Sequence, residues 1–300
     1  MFISIQNKII VLLIAFTLLP FVVLKILAFP KVEADVEKLQ IRHLSSAGHK
    51  QAVLVSNWMR ERMTDVLVIA DNPYMVNSIN LTSKDAEYSE ELRYLELVVV
   101  EYGYMGAFVC DNKGLVTIAT IKESVGRDLS NKDYIKNALL GNPSASSIMP
   151  SEVPLVNEFD EKEIGVPTMF VSTPLKNKMD DIIGVVVLRV HAGTLSNMMN
   201  SLKFGKTGES YLVNEEGYMI SESRFADKLK AKGIVEKRCT LELKVTDPET
   251  GELTSGVAQC ISGNNGFDGK GYSDYTGITV LGVWHWLPEF KWGIITEIDM

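Results

Sequence analysis

The sequence predicts an α+β fold: an N-terminal membrane helix, a long amphipathic helix, and two modules in tandem, each built on a five-stranded antiparallel sheet. Three observations predict it. Residues 9–29, IIVLLIAFTLLPFVVLKILAF, carry one charge, Lys25. Apolar residues then recur at helical spacing from Val32 to Ala70, interrupted by one glycine, Gly48, and by no proline. Finally, the hairpin pattern FVCDNKGLVTIAT, Phe108–Thr120, returns as YLVNEEGYMISES, Tyr211–Ser223.

The first element is the membrane helix. A helix as long as residues 9–29 spans a bilayer core of about 30 Å. A cleaved signal peptide would have a shorter apolar core and a small-x-small cleavage site. Here the core is long, and ILAFPKVEA offers only a poor site around Val32 and Ala34. The stretch therefore reads as an uncleaved anchor. Residues 1–8 are assigned to the cytoplasm, although this flank carries only Lys8 and gives the positive-inside rule little to act on. No second apolar stretch of spanning length follows, which puts residues 30–300 on one side.

Residues 30–76 form the long helix. Its helical pattern runs over some forty residues, 31 to about 72, which at 1.5 Å each reach roughly 60 Å. Its apolar stripe must be buried against its own domain, a second subunit, or both, so a homodimer through this helix is expected. The sequence DNPYMV ends it, because a residue before proline disfavours the α region. A second helix is expected from Glu87 to Tyr102. Residues 77–200 then form the first module and 201–299 the second. The first opens with a hairpin through the turn Asp111-Asn112-Lys113-Gly114. ESVGRDLSNKDYIKNALLGN supplies a loop and a short helix. Strands follow around Ser146–Met149, Thr168–Pro174 and Ile182–Val190, giving five strands with helices on one side. After a helix near Ala192–Leu202 the pattern restarts through the turn Asn214-Glu215-Glu216-Gly217. It closes on GITVLGVWHWLP and WGIITEIDM. Opening hairpin and closing strand repeat in the same order, at separations of about 103 and 109 residues.

Cys239 and Cys260 bracket CTLELKVTDPETGELTSGVAQC, whose arms alternate around the turn Asp247-Pro248-Glu249-Thr250-Gly251. Folded as a hairpin, the segment sets the two cysteines opposite each other, near disulfide reach. A disulfide is expected in an oxidising compartment, the alternative being two reduced core cysteines. Cys110 lies in an apolar strand and reads as a small buried hydrophobe.

Composition and motifs exclude several function classes. The net charge of -8 and pI of about 5.2 show no basic footprint, so no nucleic-acid partner is expected. FGKTGE, Phe204–Glu209, contains Gly-Lys-Thr. A phosphate loop, however, needs glycine where Asn200 stands, and a helix where a strand follows. His43, His49, His191 and His285 lack metal-ligand spacing. No nucleophile motif is present. No catalytic residue, metal or cofactor is expected.

Anchor, long helix and two tandem modules in this order resemble the double Cache (dCache) sensor domain of bacterial and archaeal transmembrane receptors, whose modules are PAS-like. The resemblance covers residues 31–299. VSNWMRERMTDVLVIADNP is similar to the family's long-helix segment, and GRDLSNKDYIKNALLGNP to a loop of its membrane-distal module. GKTGESYLVNEEGYMISESRF and GYSDYTGITVLGVWHWLPEFKWGIITEID are similar to its membrane-proximal module. The resemblance implies a receptor of the inner (plasma) membrane with a periplasmic or extracellular body and a small-molecule pocket in the distal module. It also implies a second membrane helix beyond Met300, and a cytoplasmic output domain of histidine kinase, chemoreceptor or cyclase type.

The amino-acid-binding branch of that family uses an Arg-x-Trp-Tyr run for the ligand carboxylate and a later Asp for its amine. Here the run reads Lys132-Asp133-Tyr134-Ile135, and Lys lacks the bidentate fork of Arg. Where the Asp is expected stands Arg189. This points away from an α-amino acid and toward a small organic anion, and it leaves no obvious anion for an amine. Alternation in GVVVLRV puts Val185, Val187 and Arg189 on one face. A charge among strand valines is paired, edge-exposed or aimed at a ligand; the alternative is a strand-end arginine whose head reaches water. The candidate ligand-binding residues are Lys132, Tyr134, Arg189, Arg127 and Ser172. Arg127 and Lys132 read equally as solvated loop charges, and Tyr134 as a packing aromatic. The function class set against a sensor is a structural or protein-docking module with no small ligand.

Overall fold

The computed structural model describes residues 13–14, 16–19, 21–79, 89–202 and 204–300. A π-helical turn, Leu24–Ala28, runs into helix α1, Phe29–Ala70. Residues 9–12, 15 and 20 of the expected membrane helix lie outside the described residues. Among the described residues, no helix is long and apolar enough to cross a membrane. Helix α2, Pro73–Ser78, starts where Asn72 accepts the Tyr74 amide at 3.0 Å. Helix α3, Glu90–Tyr102, is capped by Ser89, whose hydroxyl accepts the Leu92 amide at 3.1 Å. It ends at Gly103, which takes the left-handed conformation (φ 69°) that glycine adopts without strain. Its expected start at Glu87 lies outside the described residues.

Antiparallel strands then build two sheets. Strands β1, Gly106–Asp111, and β2, Val116–Ala119, form the first hairpin. Helix α4, Asp133–Leu139, precedes the short strands β3, Ser144–Ala145, and β4, Met149–Pro150. Strands β5, Leu155–Val156, and β6, Lys162–Glu163, form a separate ribbon. The long strands β7, Pro167–Lys176, and β8, Ile182–His191, complete the first sheet. Its order is β2-β1-β8-β7-β3, with β4 also paired to β7, so it has six strands. The expected single strand around Ser146–Met149 is instead two short segments, both hydrogen-bonded to β7.

Helix α5, Gly193–Ser201, leads to β9, Glu209–Asn214, and then to helices α6, Ala226–Ala231, and α7, Ser255–Ile261. Strands β10, Gly266–Ser273, β11, Thr279–Leu287, and β12, Trp292–Asp299, follow. The second sheet has four strands, not five, in the order β10-β11-β12-β9. The second arm of its opening hairpin makes only isolated bridges, Val213↔Met219 and Tyr218↔Lys244, and never becomes a ladder strand.

The repeat is visible in atomic detail. In the first copy the Asp111 carboxylate accepts the amides of Lys113 and Leu115, each at 2.9 Å. In the second the Asn214 side chain accepts those of Glu216 at 3.1 Å and Tyr218 at 2.9 Å. Each turn closes on a glycine with positive φ, Gly114 at 85° and Gly217 at 82°. Each opening strand pairs antiparallel with its module's last strand, β1 with β8 and β9 with β12.

One helix spans both sheets. Leu44, Val55, Met59, Val66 and Ile69 form the buried stripe of α1. The stripe packs against β7 of the first sheet and β11 and β12 of the second. The lone glycine of this helix has a packing reason: a Cβ on Gly48 would come within 3.1 Å of the His285 ring on β11. Nearer the N-terminus, Val32, Val36 and Leu39 of the same apolar stripe stay exposed.

The expected cysteine hairpin is not formed. Cys239 lies in an irregular segment and Cys260 on α7. The two arms meet only at the bridge Thr246↔Leu253. Both cysteines are free and buried, as is Cys110. Burial pushes the thiols of Cys239 and Cys260 up to about 12. The alternation that suggested a hairpin arises instead from a tight turn whose second arm turns into a helix at Ser255.

Candidate functional site

The two faces of the first sheet are covered differently. Val109, Ile118, Met169, Val171, Val186, Leu188 and Val190 join the α1 and α3 side in the main core. The other face carries Phe108, Cys110, Phe170, Val185 and Val187, covered by α4 through Tyr134, Ile135 and Ala138. Arg189 belongs to this second face. In register it stands between Gly106 on β1 and Phe170 on β7.

Its guanidinium lies 4.6 Å from the centroid of the Phe170 ring. Tyr134, from the first turn of α4, stacks on that ring with centroids 4.8 Å apart and planes 12° apart. Phe108 meets the same ring edge-on at 5.9 Å. Arg189 is only 4% exposed, yet its Nε and Nη1 have no hydrogen-bond partner among the described residues. Burying a cation unpaired is costly. Burial pulls the ionisation of Arg189 down to about 10, which leaves it charged at neutral pH.

Arg127 and Lys132 stand at the mouth of the same cavity, lined also by Leu129, Met149 and Glu152. Glu152, in the segment between β4 and β5, forms ion pairs with both cations. Arg127 also reaches the Glu152 backbone carbonyl at 3.4 Å. Hydrogen bonding from Lys132, foremost, holds the Glu152 carboxyl below the usual carboxylate range, against an opposing effect of burial. The remaining free space is about 20 Å³, room for about one water.

The structure thus brings together four of the sequence-predicted residues: Arg127, Lys132, Tyr134 and Arg189. Ser172 shares their face but lies beneath the cavity. Its hydroxyl donates to the Tyr134 carbonyl at 2.8 Å and the Ser144 carbonyl at 3.1 Å, fastening α4 and β3 to β7. Sequence reasoning missed Glu152, Phe108 and Phe170. Strand alternation puts each phenylalanine on some face, but only strand register shows that it is the face of Arg189. Glu152 sits in an irregular stretch with several acidic neighbours, and no pattern singles it out.

A family model described as Cache domain matches residues 32–300. No curated protein matches the chain in sequence. Solved structures with the same fold include the sensor domain of the Vibrio cholerae histidine kinase DctB, at 12% identity and TM-score 0.58, covering 88% of this chain and 98% of that one. Another is the ligand-binding domain of the Pseudomonas aeruginosa chemoreceptor PctC in complex with GABA, at 19% identity and TM-score 0.56, covering 86% and 99%. A third is the ligand-binding domain of the Campylobacter jejuni chemoreceptor Tlp3 in complex with L-valine, at 12% and 0.59, covering 90% and 96%.

Proposed function

This chain belongs to the Cache-domain family, and on that premise we propose that it is the extracytoplasmic sensing part of a membrane-anchored signalling receptor of histidine kinase, chemoreceptor or cyclase type. The first module, residues 77–200, is the membrane-distal one and binds a small organic anion or amino-acid-like molecule through its carboxylate. The second, residues 201–299, is membrane-proximal. Residues 9–29 anchor the chain, with the body periplasmic or extracellular. The exposed apolar residues of that segment, Phe16, Phe21 and Ile26 among them, support the anchor. The uncovered stripe Val32, Val36 and Leu39 supports a homodimer along α1, which a mass measurement in detergent would test.

The observation that carries the ligand reading is Arg189: a buried, unpaired guanidinium on an aromatic ring, facing a cavity with two further cations at its mouth. A carboxylate would supply the missing acceptor in bidentate geometry. The small free volume is what favours the other reading, a docking module with no small ligand. The deciding experiment is thermal-shift and calorimetric titration of the full chain in detergent with acetate, propionate, lactate, L-alanine and methylamine. A binder at a hundredfold excess over Kd stabilises by about 2.7 kcal/mol. Acids are expected to stabilise the wild type and to lose that effect in Arg189→Ala. Stabilisation by methylamine alone, or unchanged acid binding in Arg189→Ala, would overturn the ligand reading. Silence across the whole panel would select the docking module.

A further inference from the structure

We infer that Glu152 is a competing carboxylate built into the site, so that an anionic ligand binds by exchanging with it at Arg127 and Lys132. This rests on the ligand reading above and extends it to what sets affinity and ligand size.

The geometry is that of a site already serving one carboxylate. Two cations converge on Glu152, and the third, Arg189, has no hydrogen-bond partner for its Nε and Nη1 among the described residues although the same cavity joins all three. A ligand carboxylate that reaches Arg189 enters the field of the Glu152 carboxylate, and like charges at close range repel. The free space of about 20 Å³ cannot hold an organic acid beside it. Both difficulties disappear together if Glu152 leaves. Its side chain is 44% exposed, so water is open to it. Chemically that side chain is a propionate, and its departure makes room for an acid of about that size.

The segment carrying Glu152 is built to let this happen without unfolding the sheet. Its base is closed by Ser151, whose amide donates to the Val166 carbonyl at 2.9 Å and whose hydroxyl accepts the Val166 amide at 3.1 Å. Val153, Leu155 and Val166 form a small apolar cluster, with Met105 and Ile121 packed against it. Apart from that base and cluster, the Arg127 and Lys132 ties to Glu152 hold the 151–157 stretch against the pocket mouth. The far end of the same segment is fastened to the second module: Glu163 pairs with Arg238 and accepts from Lys237 at 2.8 Å, and Glu158 lies 3.6 Å from Arg238. Exchange at Glu152 therefore loosens one end of a strap whose other end is held by the second module.

The test is calorimetric titration of propionate into the full chain in detergent, wild type against Glu152→Gln and Glu152→Ala. Two partly exposed ion pairs are lost as competitors, so both variants are expected to bind propionate about tenfold more tightly. Unchanged or weaker propionate binding in folded variants overturns the exchange. So does a variant that weakens L-alanine alone, because Glu152 would then be holding the ligand's ammonium. Hydrogen exchange on the wild type gives a second readout that needs no variant. Saturating propionate is expected to speed exchange across residues 151–157, and slower exchange there overturns the inference. The two levels separate cleanly: a wild type that binds no acid removes the ligand reading itself. A wild type that binds acid through Arg189, with affinity indifferent to Glu152, removes only the exchange.

Discussion

Replacing Glu297 by glutamine is expected to flatten the pH dependence of this protein's stability. Glu209 on β9 and Glu297 on β12 are direct partners in register, and they are 4% and 2% exposed. Such partners hold their Cβ atoms roughly 4.5–5.5 Å apart. Hydroxyls serve both acids: Tyr272 at 2.6 Å and Tyr211 at 3.0 Å donate to Glu297. Ser223 at 2.7 Å and Tyr275 donate to Glu209. Asp274 adds to the negative field at both, and at Glu209 a cation, Arg224, opposes it. Burial, as the largest cause, pushes Glu209 up to about 7 and Glu297 up to about 8. An unfolded glutamate ionises near about 4.3. Between that value and about 8 the folded state therefore keeps protons that the unfolded state has released. Stability is fully present below this window and is lost as pH rises through it. A tenfold change in proton affinity is worth about 1.4 kcal/mol, so one such acid accounts for on the order of 4–5 kcal/mol. That is a sizeable part of the roughly 5–15 kcal/mol that holds an ordinary domain together.

Glutamine keeps the shape and hydrogen-bonding capacity of a protonated glutamate but cannot ionise. Denaturant unfolding from pH 5 to 9 would be followed by tryptophan fluorescence, since Trp284, Trp286 and Trp292 all lie on the second sheet. Wild-type stability should fall across the window. Glu297→Gln should fall less steeply, overtaking the wild type by pH 9 while being no more stable at pH 5. A wild-type profile that is flat or rising between pH 5 and 8, or an unchanged slope in the variant, would refute the reasoning.

Two further outcomes are expected. Ser172→Ala should lower stability by about 1–2 kcal/mol, because a buried and a partly buried carbonyl lose their donor. At this size that is a fall in Tm of roughly 2–8 °C, and an unchanged Tm would mean that α4 is held in place by packing alone. Cys239 and Cys260 should be recovered as free thiols, and they should react with iodoacetamide only after unfolding, because burial suppresses the thiolate. A Cys239–Cys260 cross-linked peptide under non-reducing mass spectrometry would contradict the packing around α7.

Much of the architecture is legible in the sequence because its signals are local. Helical spacing from Val32 to Ala70 already implies one long helix, since every stripe residue reports on neighbours three and four positions away. The turns at Asp111–Gly114 and Asn214–Gly217 are written in side chains that bond their own backbone, which is why the duplicated opening hairpin stands out. The same locality misleads at Cys239–Cys260, where alternation is a property of each arm. Whether the arms pair depends on what each packs against, and Cys260 packs as part of a helix. Arg189 shows the division within the site. Alternation assigns it to a face, but nothing near it in sequence shows that Phe170 lies beside it, that Tyr134 stacks on that ring, or that Glu152 takes the cations at the mouth. Those contacts join segments tens of residues apart. Strand register and burial create them, and both are properties of the folded chain, not of any window along it.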